Sequence, residues 1–490
     1  MIFTVERSIL RKLEQMQSLL GDEDGEDSSP TPPISHHWPP IVTRLPELRR
    51  TRPHRREPFV HLDDEADDRR SSSHNSFLLP TRIPGHETDA WQHLLQLAEL
   101  AKRLNRTLIL PHVGRGYLGC CYHWELETYY DLRCLPELGV AFAKTRDLSN
   151  WAKRYMHTTA QVVSLFPQDQ SMTDRGEEPL VRRFDEFYET RDLNLPGCFE
   201  TKFSSIDLND FPHLRIYLSR MGGEKLVDAL SWEHDTGNGA SLHNSSQLPH
   251  DLFLTASLQS PPDILVVQWN LRFPVFPPPI APVVFHYSEH LTALAEQLAP
   301  SAPYLAIYWH TEGLPADVLS HCADLLVDTV SRLLSDPSAS IITTVWFASD
   351  LPYSVASDRS APRTVAFPRR GLHGGIDGSA RSGHLSDKRV KAMEILKEAL
   401  ADGRALAQWH LTDLTNELRK VQAGTDDALL QDNGVLGILD KLICSRAALF
   451  VRGARACGVS SFAQQIVDMR KEELARRGNE MLKNIVDVFG

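Results

Sequence analysis

Three short stretches of this 490-residue chain place polar groups where an apolar strand gives way to a helix, the position at which α/β proteins bind anions and nucleotides. One is Gly458-Val459-Ser460-Ser461-Phe462, with Arg470 further along the same helix. It presents hydroxyls and free backbone N–H groups at a helix start, which suits a phosphate and equally an ordinary capped helix. A second is His310-Thr311-Glu312, which follows the apolar run Tyr304 to Trp309, with Asp350 after the neighbouring run Ile341 to Phe347. Asp350 also fits a helix cap, and Glu312 also fits a loop carboxylate paired with a surface arginine. The third is Gly85-His86-Glu87, carried to the start of the helix marked by Trp91, Leu94, Leu95, Ala98, Ala101 and Leu104.

Repeated strand, loop and helix units must hold these groups. Phe77 to Leu79, the helix after it and the strand Thr107 to Leu110 predict one βαβ unit, with Pro80 to Thr88 as its loop and Asp89 or Thr88 as cap. Ile264 to Val267 predicts a further buried strand, and the Pro-rich connector Phe273 to Pro282 a domain boundary. In the second half, Pro315 stands at an expected first helical position before Leu319, Cys322, Ala323, Leu326, Val330 and Leu333. Helices from Asp387 and Ala405, a helix over Val435 to Ser445, a strand over Ala448 to Val451 and a helix over Ser461 to Arg476 complete it. Ser461 and Gln464 have capping-box spacing. The Gly-, Ser-, Pro- and Arg-rich stretch Leu351 to Ser386 is too polar for core.

Other patterns are poorer matches to chemistry. Gly114-Arg115-Gly116-Tyr117-Leu118-Gly119 has the dinucleotide-binding spacing, but Pro111 interrupts its approach and no patterned helix follows. Cys120-Cys121-Tyr122-His123 lacks the second ligand pair of a zinc site, and His310-Thr311-Glu312 lacks the cysteine partner motif of zinc deaminases. Seven cysteines without a CxxC pair leave the redox compartment open.

Composition sets the outer bounds. Apolar residues at 42% and charged residues at 24% are globular values, and the length accommodates two cores. A net charge of −12 disfavours nucleic acid as a partner. The most apolar stretch, Ile264 to Phe285, carries Gln268, Asn270 and Arg272, so no transmembrane segment is expected. Arg7, Arg11, Lys12 and Glu14 interrupt the first twenty residues, which predicts no signal peptide and a short amphipathic helix on Ile9, Leu13, Met16 and Leu20. Alternating acidic, Pro-rich and basic blocks up to Asn75 predict disorder.

Taken in order, four blocks resemble the GDP-fucose protein O-fucosyltransferase family. Asn105-Arg106-Thr107-Leu108-Ile109-Leu110-Pro111 is similar to its strand entry. Tyr304 to Glu312 is similar to a block ending in His-x-Arg, and Val345-Trp346-Phe347-Ala348-Ser349-Asp350 to one ending in Ala-Thr/Ser-Asp. Leu439-Asp440-Lys441 through Ser460-Ser461-Phe462 to Arg470 is similar to its diphosphate-holding block. The resemblance implies an α/β fold of two Rossmann-like domains facing across a cleft, of the GT-B type. Residues 1–75 would be mostly disordered, 76–280 the acceptor side and 281–490 the nucleotide-sugar side. It implies inverting, metal-independent transfer of fucose from GDP-fucose to a protein or glycan hydroxyl, with no cofactor. Catalytic candidates are His310, Glu312 and Glu87; donor-binding candidates are Gly85, His86, Asp350, Ser460, Ser461, Phe462 and Arg470. Tyr308 stands at the block's His and His310 at its Arg. A permanently charged fork with five donors is thus replaced by a ring with two donors only when protonated. The alternative is a catalytically weakened scaffold that binds a sugar nucleotide, glycan or protein. Family habit points to the ER or Golgi lumen, the N-terminal residues to the cytoplasm. The sequons at Asn105 and Asn244 matter only in the former, and Asn105 is expected to be half-buried.

Overall fold

The computed structural model describes residues 76–155, 158–168, 198–207, 214–231, 261–277, 286–311, 314–350, 387–401, 403–421, 428–477 and 485–490. The amphipathic helix expected near the N-terminus, the disorder expected over 1–75, Glu312, the stretch 351–386, Asn244 and the end of the Pro-rich connector lie outside the described residues.

Described residues of the first half give β1 (Phe77–Ile83), α1 (Glu87–Arg103), β2 (Thr107–Leu110), β3 (His112–Gly114), β4 (Tyr117–Gly119), β5 (Trp124–Glu125) and β6 (Phe142–Lys144). They continue as α2 (Thr145–Arg154), β7 (Thr158–Pro167), α3 (Cys198–Lys202), β8 (Ile206–Asp207), β9 (Leu214–Leu218), α4 (Gly223–Leu230) and β10 (Ile264–Trp269). Strands β6, β2, β1, β10, β7 and β9 run parallel in that order, the signature of right-handed βαβ crossovers. β1 continues past the expected loop start at Pro80. Pro80 lies opposite Val267, the register slips between Pro80 and Arg82, and the strand's last two residues pair antiparallel with β4. A proline without an N–H is tolerated at such an irregularity.

The second half adds α5 (Glu289–Leu298), β11 (Tyr304–Trp309), α6 (Leu319–Ser335), β12 (Thr344–Ser349), α7 (Asp387–Ala399), β13 (His410–Thr412), α8 (Leu414–Val421), α9 (Asn433–Arg446), β14 (Leu449–Gly453), α10 (Ser461–Arg477) and β15 (Ile485–Phe489). Its sheet is parallel throughout, ordered β13-β12-β11-β14-β15. Two expectations change here. α6 begins at Leu319 because residues 315–318 form a turn, and the helix expected from Ala405 is replaced by turns and the edge strand β13. Asp413 then caps α8 by accepting from the Asn416 N–H at 2.9 Å.

Helices cover both faces of both sheets. Leu305, Ile307, Val345 and Phe347 point to α6 and α7, while Tyr304, Ala306, Tyr308 and Trp346 point to α9 and α10. The second face belongs to the same buried apolar cluster as Leu78, Leu108 and Leu265 of the first sheet. α9 is the shared element. Val435, Leu436, Ile438, Leu439, Leu442 and Ile443 bury it nearly all round, as a helix in the interior of a large core requires. Its cap, Asp432, accepts from Gly434 and Val435 N–H and from the Tyr129 hydroxyl at 2.5 Å and the Arg115 amide at 2.7 Å. Those last two donors belong to the first half.

Two disulfides supply a framework that spacing did not reveal, Cys121–Cys198 and Cys322–Cys457; Cys120, Cys134 and Cys444 are free thiols. Asn105, expected to be half-buried, is exposed in a left-handed turn with φ 50°.

Thiol titration of the denatured, unreduced protein should find three reactive thiols among seven cysteines; seven would exclude both cross-links. Gly434 tests the docking of α9. A Cβ there would lie 1.9 Å from the Tyr129 hydroxyl and 2.4 Å from the Gly116 backbone nitrogen. Alanine's helix propensity gains up to about 1 kcal/mol. Overpacking against backbone costs about 1–3 kcal/mol, and the Tyr129–Asp432 hydrogen bond is lost as well. Gly434→Ala should therefore lower unfolding free energy in urea; a gain would show that α9 is not seated there.

Candidate functional site

The carboxyl ends of three adjacent parallel strands bring the second-half candidates together. β11 ends at Trp309 and delivers His310 and Thr311; β12 ends at Ser349 and delivers Asp350; β14 ends at Gly453 and leads to the turn before α10. Asp350 accepts from the Thr311 amide at 2.7 Å, from the Thr311 hydroxyl at 2.8 Å, and lies 3.2 Å from His310 Nδ1. Burial alone would raise the Asp350 pKa. The hydrogen bond and charge of His310, with the two bonds from Thr311, outweigh it and hold the carboxyl below its ordinary range. The Asp350 carboxylate thus sits beside the His310 ring and against the backbone of the residue after it.

Gly458 has φ 101°, and a Cβ there would lie 2.2 Å from the His310 carbonyl oxygen. Only glycine lets the turn approach this closely. Ser460 is the observed cap of α10: its Oγ accepts from the Phe462 N–H at 3.1 Å and its carbonyl from the Gln464 N–H at 3.0 Å. The cap thus falls one residue before the expected Ser461–Gln464 box, and Ser461 is exposed in the first turn. Phe462 stacks on Tyr308 with ring centroids 4.5 Å apart, and the Tyr308 hydroxyl is hydrogen-bonded to Ser460. Tyr308, in place of the resembled family's His, is therefore a buried support for the turn, with burial pushing its pKa well up.

Among first-half candidates, Gly85 is exposed with φ 82°, and His86 is the residue preceding α1, its carbonyl accepting from Ala90 N–H and its ring 4.6 Å from that of Tyr117. Glu87, a candidate base, is buried and engaged by other protein groups. It is 6% exposed, and its carboxylate accepts from Lys441 Nζ at 2.6 Å and from the Tyr287 hydroxyl at 2.5 Å. Arg470 departs from expectation. Nine residues beyond Ser461, at about 1.5 Å per residue, put it roughly 14 Å along the helix from the turn. Its guanidinium instead donates to the carbonyls of Cys444, Ser445, Ala447 and Ala448 and closes the C-terminal end of α9.

Sequence reasoning misses Lys441. The available signal is a lysine amid Ile438, Leu439, Leu442 and Ile443, all buried on the same helix. It is fully buried and joins the two groups of candidates: it bonds Glu87, the Tyr287 hydroxyl at 2.8 Å and Gln465, and lies 4.8 Å from the Phe462 ring centroid.

Neither competing motif in the first half forms a ligand site. Gly114 to Gly119 is the antiparallel β3–β4 hairpin, not a strand-to-helix turn, so it forms no dinucleotide cradle. Cys121 is in a disulfide and offers no thiolate to a metal. Among the described residues no group of three His, Cys, Asp or Glu gathers as a metal site, and no helix is long and apolar enough to cross a membrane.

No family model and no curated protein matches the chain. Similar solved structures include POFUT1 in complex with GDP-fucose, at 11% identity and a TM-score of 0.44, covering 86% of this chain and 99% of that one. The fucosyltransferase NodZ from Bradyrhizobium is similar at 11% identity and a TM-score of 0.32, covering 81% and 93% of the two chains. NodZ α-1,6-fucosyltransferase soaked with GDP-fucose gives 11% identity and a TM-score of 0.31 over 80% and 92%.

Because the Asp350 pKa is lower in the folded than in the unfolded chain, its stabilising contribution is complete above the ordinary value of 3.8 and is lost as pH falls through the lowered folded value. The difference in unfolding free energy between wild type and Asp350→Asn should be constant near neutrality and shrink only below pH 3.8. A difference that vanishes near pH 6 would place the titration on another group.

Proposed function

We propose that the chain transfers fucose from GDP-fucose to a hydroxyl of a protein or glycan acceptor, with inversion and without a metal ion. The single observation that supports this most is the meeting of His310, Asp350, Gly458, Ser460 and Phe462 at the ends of β12, β11 and β14. These are residues of the blocks that resemble the O-fucosyltransferase family. In this reading the second half holds the nucleotide sugar and the first the acceptor, with the division near residues 280 and 281.

The chemistry follows from charge. The acceptor oxygen forms a bond to the anomeric carbon as the bond from that carbon to the diphosphate oxygen breaks, and the electron pair leaves with GDP. Charge stabilisation at the departing phosphate is then the largest contribution to rate. The first turn of α10 offers N–H groups and the positive end of its dipole, with the exposed Ser461 hydroxyl beside them. His310, oriented by Asp350, supplies a cation in its protonated form, replacing an arginine fork with one imidazolium. The hydroxyl proton passes to a base, for which Glu312 is the candidate; Glu87 is engaged by Lys441 and Tyr287.

A second reading is a binding scaffold with little turnover. The placements of Glu87 and Arg470, both occupied by other protein groups, favour it. The two disulfides favour an oxidising compartment over the cytoplasm for either reading.

Calorimetry with GDP, GDP-fucose and other nucleotide sugars is the first test, with GDP and GDP-fucose expected to bind. Absence of GDP binding at millimolar concentration would overturn the transferase reading and the donor-site assignment, leaving only a scaffold for a glycan or protein. With transfer measured to a hydroxyl acceptor, His310→Ala should abolish turnover, by about 100-fold or more if the ring acts as an electrostatic donor, and His310→Arg should preserve or raise it. Equal turnover in all three proteins would remove His310 from the mechanism, and GDP-fucose binding without turnover would select the scaffold.

A further inference from the structure

We infer that Lys441 is a positioning residue that sets the phosphate-facing turn of α10 against the start of α1; this rests on the proposed donor site. Among the described residues its ammonium donates to Glu87 Oε2 at 2.6 Å, to the Tyr287 hydroxyl at 2.8 Å and to Gln465 Oε1. The Tyr287 and Phe462 ring centroids lie 5.5 and 4.8 Å from Nζ. Glu87 is the first residue of α1, directly after His86; Phe462 and Gln465 belong to the first turns of α10, directly after its cap Ser460. One buried ammonium therefore touches the residue after His86 and two residues beside Ser460 and Ser461.

Placement distinguishes this from simple stabilisation. Burial pushes the Lys441 pKa down, and the Glu87 carboxylate, with the charge of Asp89 behind it, opposes that shift. Gln465 and the Phe462 face carry no counter-charge, yet both lie against the ammonium. They fix the rotation of the first turn of α10, and with it the direction of the N–H groups that would meet a diphosphate. Displacement of such donors by about 1 Å costs on the order of 100-fold in a bound reaction.

The pair and the turn separate experimentally. Gln465→Met keeps the Lys441–Glu87 pair and removes the bond to α10. It should leave the melting temperature within about 2 °C of wild type, and weaken GDP binding by about tenfold, one hydrogen bond to a charged group. The double variant Glu87→Leu with Lys441→Met removes both buried charges, a replacement often neutral for stability. It should fold and bind GDP at least tenfold more weakly. GDP affinity equal to wild type in both proteins would make Lys441 a structural ion pair alone and overturn the inference. Amide hydrogen exchange of the unliganded proteins supplies a readout independent of GDP. Peptides covering 460–466 should exchange faster in Gln465→Met, and unchanged exchange there would overturn the inference even if wild type binds no GDP. Failure of the wild type to bind GDP would, by contrast, count against the proposed function.

Discussion

An ammonium withdrawn from water is retained only where a counter-charge and full hydrogen bonding replace its solvation, because desolvation costs several kcal/mol per ion. Lys441 meets that condition with Glu87, Tyr287 and Gln465, on three different segments of the chain. The constraint is reciprocal. Glu87 is equally buried, so α1 of the first half and α9 of the second must be adjacent for either charge to be accommodated. Tyr130 and Tyr287, with rings stacked 5.9 Å apart, line the same space, and burial next to the Glu87 charge keeps both phenols protonated by raising their pKa values far above the usual.

Around that interaction the candidate site is assembled from parallel-strand ends, which place His310, Asp350 and the α10 turn side by side. The close approach at Gly458 and the Asp350–Thr311 bonds hold the backbone, while Tyr308 and Phe462 support the turn from below. The polar groups are therefore mounted on the ends of the sheet.

Much of the scaffold is legible because its strands are short apolar runs and its helices carry one apolar face. β1, α1, β2, β10, β11, β12, α9, β14 and α10 all follow from such patterns, with ends shifted by a few residues. β7 does not: Thr158-Thr159-Ala160-Gln161-Val162-Val163-Ser164 mixes polar residues into a central strand, where Gln161 and Ser164 are nevertheless buried. Ser164 satisfies itself on Gln268 of the neighbouring strand at 2.7 Å, a cross-strand partner no local pattern discloses. The disulfides and the Glu87–Lys441 contact join residues 77, 135 and 354 positions apart, so they depend on topology rather than on sequence neighbourhood. At Glu87 and Arg470 a charge on a helix is visible and suggests a ligand group, whereas the protein atoms that satisfy it are distant in sequence and leave no local trace.

The carboxylate of Asp432 shows how two sheets become one thermodynamic object. It caps its own helix through Gly434 and Val435, and the same oxygens receive Tyr129 and the tip of the β3–β4 hairpin. A helix start in one half and a docking contact in the other are thus made by a single group, within an apolar cluster common to both sheets. Melting either half exposes the other's buried surface and removes a partner from its polar contacts. Unfolding of one half is therefore coupled energetically to the other through contacts that neither can keep alone.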